Sequence, residues 1–129
     1  MERRPTVAVL GASRDRAKYG NMSVRAHLQA GYEVYPVNPN AREIEGRPAF
    51  ADLASVPVAR LDRISVYLPP AATRRMLPEI AAKGADEVWF NPGSADPALL
   101  AEAEALGLNA IFACSIIGVG QSPADFGGE

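Results

Sequence analysis

Five short runs rich in β-branched and aromatic residues are spaced along the chain: Thr6 to Leu10, Tyr32 to Val37, Arg63 to Leu68, Glu87 to Phe90 and Asn109 to Phe112. The segments between them carry helical periodicity or helix end signals, and this alternation constrains the fold more than any other feature. Several runs are almost continuously apolar, as parallel strands covered on both faces must be. The pattern implies an α/β, doubly wound, three-layer domain built on a five-stranded parallel sheet with right-handed crossovers. The expected strand order is 3-2-1-4-5.

Helix signals fill the gaps. Asn21 is read as the cap of a helix carrying Met22, Val24, Ala26 and Leu28, closed by Gly31. Pro69 and Pro70 open a helix that runs to Ala82, with a bend expected near Leu77 because Pro78 lacks the N–H that the helix ladder needs. Ser94 is read as the cap of a further helix, with Pro97 in its first turn, an apolar face of Leu99, Leu100, Ala103 and Leu106, and Gly107 as its stop. The stretch from Asn38 to Asp62 is less regular and carries one short helical turn at Phe50 to Ala54, while Gly127-Gly128-Glu129 reads as a frayed tail.

The chain has 129 residues, enough for one domain spanning 1–129, and a net charge of −2 gives it no global attraction to nucleic acid or to an anionic membrane. The first apolar stretch ends at Gly11 and is too short for a leader or a membrane span, so a cytoplasmic location is expected. One cysteine and one histidine leave no intramolecular disulfide, no thiolate-rich metal site and no basis for a histidine-dependent triad. His27 is expected on a partly exposed helix face, Cys114 as a small apolar residue just past the last strand, and Trp89 between sheet and helix. No carboxylate pair has the spacing of a general acid and base, so no catalytic residue and no metal ligand is assigned.

In a doubly wound sheet the ligand crevice lies outside the carboxyl ends of the strands, where the order reverses, here expected between the first and fourth strands. The loops there are Gly11-Ala12-Ser13 running on to Lys18 and Tyr19, Val37-Asn38-Pro39, Tyr67-Leu68-Pro69, and Asn91-Pro92-Gly93. A strand followed by glycine and a loop of about ten residues before a helix presents backbone amides to a phosphate, and Arg14, Arg16 and Lys18 add local positive charge. The spacing is not the glycine-rich dinucleotide fingerprint, and no acidic residue ends the second strand to hold ribose hydroxyls; Asn38 stands there instead. Arg74 and Arg75 are read as a solvated helix face.

Taken together, these residues resemble a family: the small CoA-binding proteins related to the Rossmann-like nucleotide-binding domain of the succinyl-CoA synthetase alpha subunit. The resemblance covers nearly the whole chain. It rests on Val9-Leu10-Gly11-Ala12-Ser13 with Lys18-Tyr19-Gly20, on Gly31 through Pro39, on Glu43-Ile44-Glu45-Gly46, and on Tyr67-Leu68-Pro69-Pro70. It implies that Gly11 to Ser13 and Lys18 cradle CoA phosphates, that Val37 to Pro39 line the adenosine side, and that Tyr67 to Pro70 border the cofactor. The segment Ala113-Cys114-Ser115-Ile116-Ile117-Gly118 departs from the family pattern, which places Arg beside the cysteine and a Glu-His pair after it. The synthetase's catalytic histidine belongs to a second domain, so phosphohistidine chemistry is not implied.

Three functions compete at this level. One is non-catalytic or regulatory binding of coenzyme A or acyl-CoA through its nucleotide moiety. The others are an NAD(P)-binding oxidoreductase or redox sensor, and an interaction protein whose crevice has lost its ligand. A homodimer or an unidentified protein partner is compatible with each.

Overall fold

In the computed structural model, which describes residues 3–127, the β-branched runs form the strands of one parallel sheet. They are β1 (Thr6–Leu10), β2 (Glu33–Val37), β5 (Leu61–Val66), β6 (Ala85–Phe90) and the short β7 (Ala110–Ile111). Between β2 and β5 lie a two-stranded ribbon, β3 (Glu43–Ile44) and β4 (Arg47–Pro48), and one turn of 3-10 helix at Leu53–Ser55. The main helices are α1 (Tyr19–Gln29), α2 (Pro70–Lys83) and α3 (Pro97–Ala105), followed by one turn, α4 (Ser115–Gly118), and a 3-10 turn at Pro123–Phe126. Residues 128 and 129 of the expected tail lie outside the described residues, while Gly127 closes the 3-10 turn with a left-handed φ of 88°. No helix among the described residues is long and apolar enough to cross a membrane.

The five-stranded, doubly wound parallel sheet is as expected, but its order is β2-β1-β5-β6-β7. Counted in chain order this is 2-1-3-4-5, so the third strand lies beside the first, where the order 3-2-1-4-5 would have set it outside the second. Pro36 supplies the physical reason. Its carbonyl accepts from Phe50 N–H and Asn38 N–H donates to the Phe50 carbonyl, both at 2.9 Å, so the proline nitrogen faces away from β1. A proline in mid-strand removes one ladder donor on that side, which suits an edge and not an interior position, and β2 takes the edge. The reversal in strand order therefore falls between β1 and β5, not between the first and fourth strands.

Side chains on β1 alternate between two cores, as strand geometry requires. Ala8 and Leu10 join Ile64, Val66, Val88 and Phe90 of the neighbouring strands under Leu77 and Ile80 of α2 and Leu99 and Ala103 of α3. Val7 and Val9 face the other way, toward Val24 of α1, Val34 and Ile44. Met22 and Ala26 of α1 extend that second layer to Ile116 and Phe126.

Several helix ends differ from expectation. α1 begins at Tyr19 with Lys18 at its cap position, and Asn21 is a buried first-turn residue. Asp96 caps α3, its Oδ1 accepting from Leu99 N–H at 2.8 Å, whereas the Ser94 hydroxyl donates to the Asn91 carbonyl at 2.7 Å. α2 continues through Pro78 as a single 14-residue helix. Leu77 and Ile80 on either side of the proline are packed in the core, and tertiary packing offsets the lost ladder bond. Leu106 is half exposed past the end of α3 and takes no part in its apolar face.

Candidate functional site

The site begins where β1 stops. Gly11 turns the chain with φ +81°, and a Cβ there would lie 2.5 Å from the Tyr67 carbonyl oxygen, so only glycine lets this loop pass the end of β5. Tyr67 N–H donates to the Leu10 carbonyl at 2.9 Å, which locks the two strand ends together. Gly20, one residue into α1, is a second forced glycine, since a side chain there would run into the Gly11 carbonyl. Between these glycines the loop shapes itself: Ser13 Oγ accepts from Asp15 N–H and Asp15 Oδ1 from Ala17 N–H, each at 3.0 Å. Asn21 ties the loop down, donating from Nδ2 to the Ser13 carbonyl at 2.9 Å and to Glu45 Oε2 at 3.0 Å. Glu45 and Gly46 carry positive φ values of 50° and 77°, the two-residue turn that closes the β3-β4 ribbon.

Two adjoining hollows open at this reversal point. The larger, about 590 Å³, gathers Gly11, Ala12, Ser13 and Lys18, the Val37-Asn38-Pro39 turn, and Tyr67 with Leu68. The smaller, about 390 Å³, shares Gly11, Lys18, Tyr67 and Leu68 and adds Tyr19, Pro69, Pro92 and Gly93. Thirteen of the fourteen residues expected at the site therefore line one hollow or the other, the exception being Asn91.

Asn91 is buried behind the hollows and holds strand ends together. Its Nδ2 donates to Ser65 Oγ and the Val66 carbonyl, both at 2.9 Å, while its Oδ1 accepts from Ser115 N–H at 2.7 Å. Asn38 lines the larger hollow but is also engaged, donating to the Ala12 carbonyl at 2.9 Å and accepting from Asn40 N–H at 2.7 Å. The Tyr67 hydroxyl lies 3.0 Å from Ser115 Oγ, and burial pushes its pKa up. Its ring faces the hollows while its oxygen belongs to the Ser115-Asn91 network.

The structure adds residues that sequence reasoning passed over. Asp52 lines the larger hollow, as Asn38 does, and Ala72, Arg75, Met76 and Glu79 form its α2 wall. The four α2 positions have the i, i+3, i+4, i+7 spacing of one helix face, a signal readable once α2 is known to start at the crevice. Arg74 and Arg75 part company. Arg74 pairs with Glu102 at 2.8 Å and Asp96 at 3.4 Å, bridging α2 to α3, while Arg75 turns to the hollow.

Charge is distributed with a purpose. Among the described residues, nine of the thirteen lysines and arginines hydrogen-bond or ion-pair through their side chains, and four do not: Arg14, Lys18, Arg42 and Arg75. All four line hollows. Lys18 and Arg75 face the larger one, and Arg14 and Arg42 face a third, about 510 Å³, against the β3-β4 ribbon. Carboxylates share both hollows, Asp52 and Glu79 in the larger and Glu43 and Glu45 in the third.

The remaining singled-out residues lie elsewhere. His27 is fully buried, not partly exposed, because its helix face meets the sheet: Nδ1 donates to the Ser23 carbonyl at 2.8 Å, and Tyr32 packs edge-on against the ring at 5.0 Å. Burial, with Arg63 nearby, lowers its pKa to about 4. Arg63 is itself buried, with Glu87 as its ion pair at 3.0 Å and its guanidinium 4.5 Å from the Trp89 ring centroid. Cys114 is partly buried against the cluster of Met22, Ala26, Ile116 and Phe126 and lines neither main hollow.

The class this fold defines is a doubly wound, Rossmann-like α/β domain. Residues 5–119 match the CoA binding domain family, and the chain belongs to that family. It is similar to a conserved hypothetical protein from Pyrococcus furiosus, with 30% identity and a TM-score of 0.78 over 89% of this chain and 98% of that one. A Thermus thermophilus protein is also 30% identical, with a TM-score of 0.80 over 88% and 87% of the two chains. The fold recurs in a dinucleotide-forming acetyl-coenzyme A synthetase of Ca. Korarchaeum cryptofilum, at 24% identity and a TM-score of 0.72 over 82% of this chain and 25% of that one.

Proposed function

We propose that this chain binds coenzyme A or an acyl-CoA through its nucleotide moiety, as a non-catalytic or regulatory module. The observation that carries the reading is the set of four uncommitted cations, Lys18 and Arg75 at the larger hollow and Arg14 and Arg42 at the third. Coenzyme A carries a diphosphate and a separate ribose 3′-phosphate. Lys18 and the amides of Gly11 to Ser13 hold the diphosphate, and Arg14 and Arg42 meet the 3′-phosphate. The smaller hollow, walled by Pro69, Pro92 and Tyr19, takes the uncharged pantetheine arm. Binding without turnover fits a site from which His27 and Cys114 both stand apart.

The NAD(P) reading draws on one observation, the Asp52 carboxylate in the hollow that Asn38 also lines, since nicotinamide domains hold ribose hydroxyls with an acid. Isothermal titration with CoA, acetyl-CoA, 3′-dephospho-CoA, NAD, NADPH and ATP separates the two. Saturable CoA binding that is lost in Lys18→Ala, and weakened about tenfold by removing the 3′-phosphate, is the expected result. Preference for a nicotinamide cofactor would sink the proposal.

A further inference from the structure

We infer that Asp52 selects the base of the bound nucleotide, its free Oδ2 accepting a hydrogen bond from the 6-amino group of an adenine. The inference rests on the reading of the larger hollow as a nucleotide site and names what that site reads. Asp52 begins the 3-10 turn of residues 53–55, and its Oδ1 is fully engaged there, accepting from Ser55 N–H at 2.9 Å and from Ser55 Oγ–H at 2.7 Å. Among the described residues Oδ2 has no partner, although Asp52 lines the same hollow as the uncommitted Arg75. Asp52 and Arg75 therefore place an uncommitted acceptor and an uncommitted donor on residues that line one space, shared with Lys18 and Glu79 and with Pro39 and Met76 as its apolar residues.

Among the purines that pairing matches adenine, on its Watson–Crick or its Hoogsteen edge. Adenine presents its 6-amino donor next to a ring-nitrogen acceptor, whereas a 6-oxo purine places an acceptor where the amine would be and meets the carboxylate with repulsion. Guanine can instead bind a carboxylate through two donors, which requires both carboxylate oxygens. Ser55 occupies Oδ1 with two hydrogen bonds, so that bidentate mode is closed and the single free oxygen suits the single adenine amine. The acid missing from the end of β2 is thus supplied from the following crossover, for the base and not for the ribose.

The test titrates the full chain with CoA and with its 6-oxo analogue, in which hypoxanthine replaces adenine. Wild type is expected to favour CoA by about tenfold or more. Asp52→Asn keeps an acceptor for Ser55 and offers an amide N–H to the 6-oxo group, so the ratio should fall to about one or reverse; Ser55→Ala leaves Oδ2 in place and should keep the wild-type preference. Equal binding of the two compounds by wild type, or an unchanged ratio in Asp52→Asn, overturns the assignment while leaving the CoA site intact. Failure of wild type to bind either compound overturns the site reading and the assignment together.

Discussion

His27 shows how one buried side chain writes itself into the pH response. Its Nδ1 proton is used on the Ser23 carbonyl, and Nε2 faces the Arg63 guanidinium at 3.4 Å, so the native environment favours the neutral ring. Native His27 gains a proton only near pH 4, whereas in the unfolded chain it does so near 6.5. Above 6.5 the two states bind the same number of protons there; as pH falls from 6.5 toward 4 the unfolded state takes up a proton that the native state refuses. Stability is lost across that window, by about 3 kcal/mol in all. Urea unfolding of wild type and His27→Gln at pH 7 and pH 4 should show the wild type losing that much more than the variant. Carboxylates such as Asp62, held low chiefly by Arg3, contribute equally to both proteins and cancel in the comparison.

At the scale of elements, Asn91 joins three of them. It hydrogen-bonds to Ser65 and Val66 on β5 and to the first residue of α4, from the end of β6. Asn91→Ala leaves the buried Ser115 N–H without its partner, while the Val66 carbonyl keeps the backbone N–H of residue 91, and should cost about 2 kcal/mol in chemical denaturation. Pro92→Ala next to it, on the open side, should change stability by less than about 0.5 kcal/mol. The elements themselves were legible from sequence because strand and helix periodicities alternate cleanly. Their order was not, since strand periodicity carries no information about neighbours and only Pro36 marks the second strand as an edge. Asn91 looked like a loop residue because nothing in an Asn-Pro-Gly turn shows which way the amide points. The main loops of the site could be read from the carboxyl ends of strands. Asp52 and Arg75 could not, since one comes from an irregular crossover and the other sits beside Arg74, identical in type but committed to α3.

For the whole molecule, ligand binding and folding are linked. A ligand held only by the native state adds free energy in proportion to the logarithm of its concentration over Kd, about 2.7 kcal/mol at a hundredfold excess. For a chain of 129 residues this corresponds to a rise in Tm of roughly 10 °C. Calorimetric scans with CoA should show that rise in wild type and not in Lys18→Ala; an unmoved wild-type transition would count against the CoA reading. The proline at the outer side of β2 has a consequence for life in a crowded solution. An open parallel sheet exposes two unpaired borders, each a template on which another chain could polymerise. One border here lacks a donor at Pro36 and is overlaid by the backbone of Phe50, and the other ends in a strand of two residues, Ala110–Ile111. Neither offers a long run of unpaired backbone groups, so both borders are poor templates for edge-to-edge pairing with another sheet.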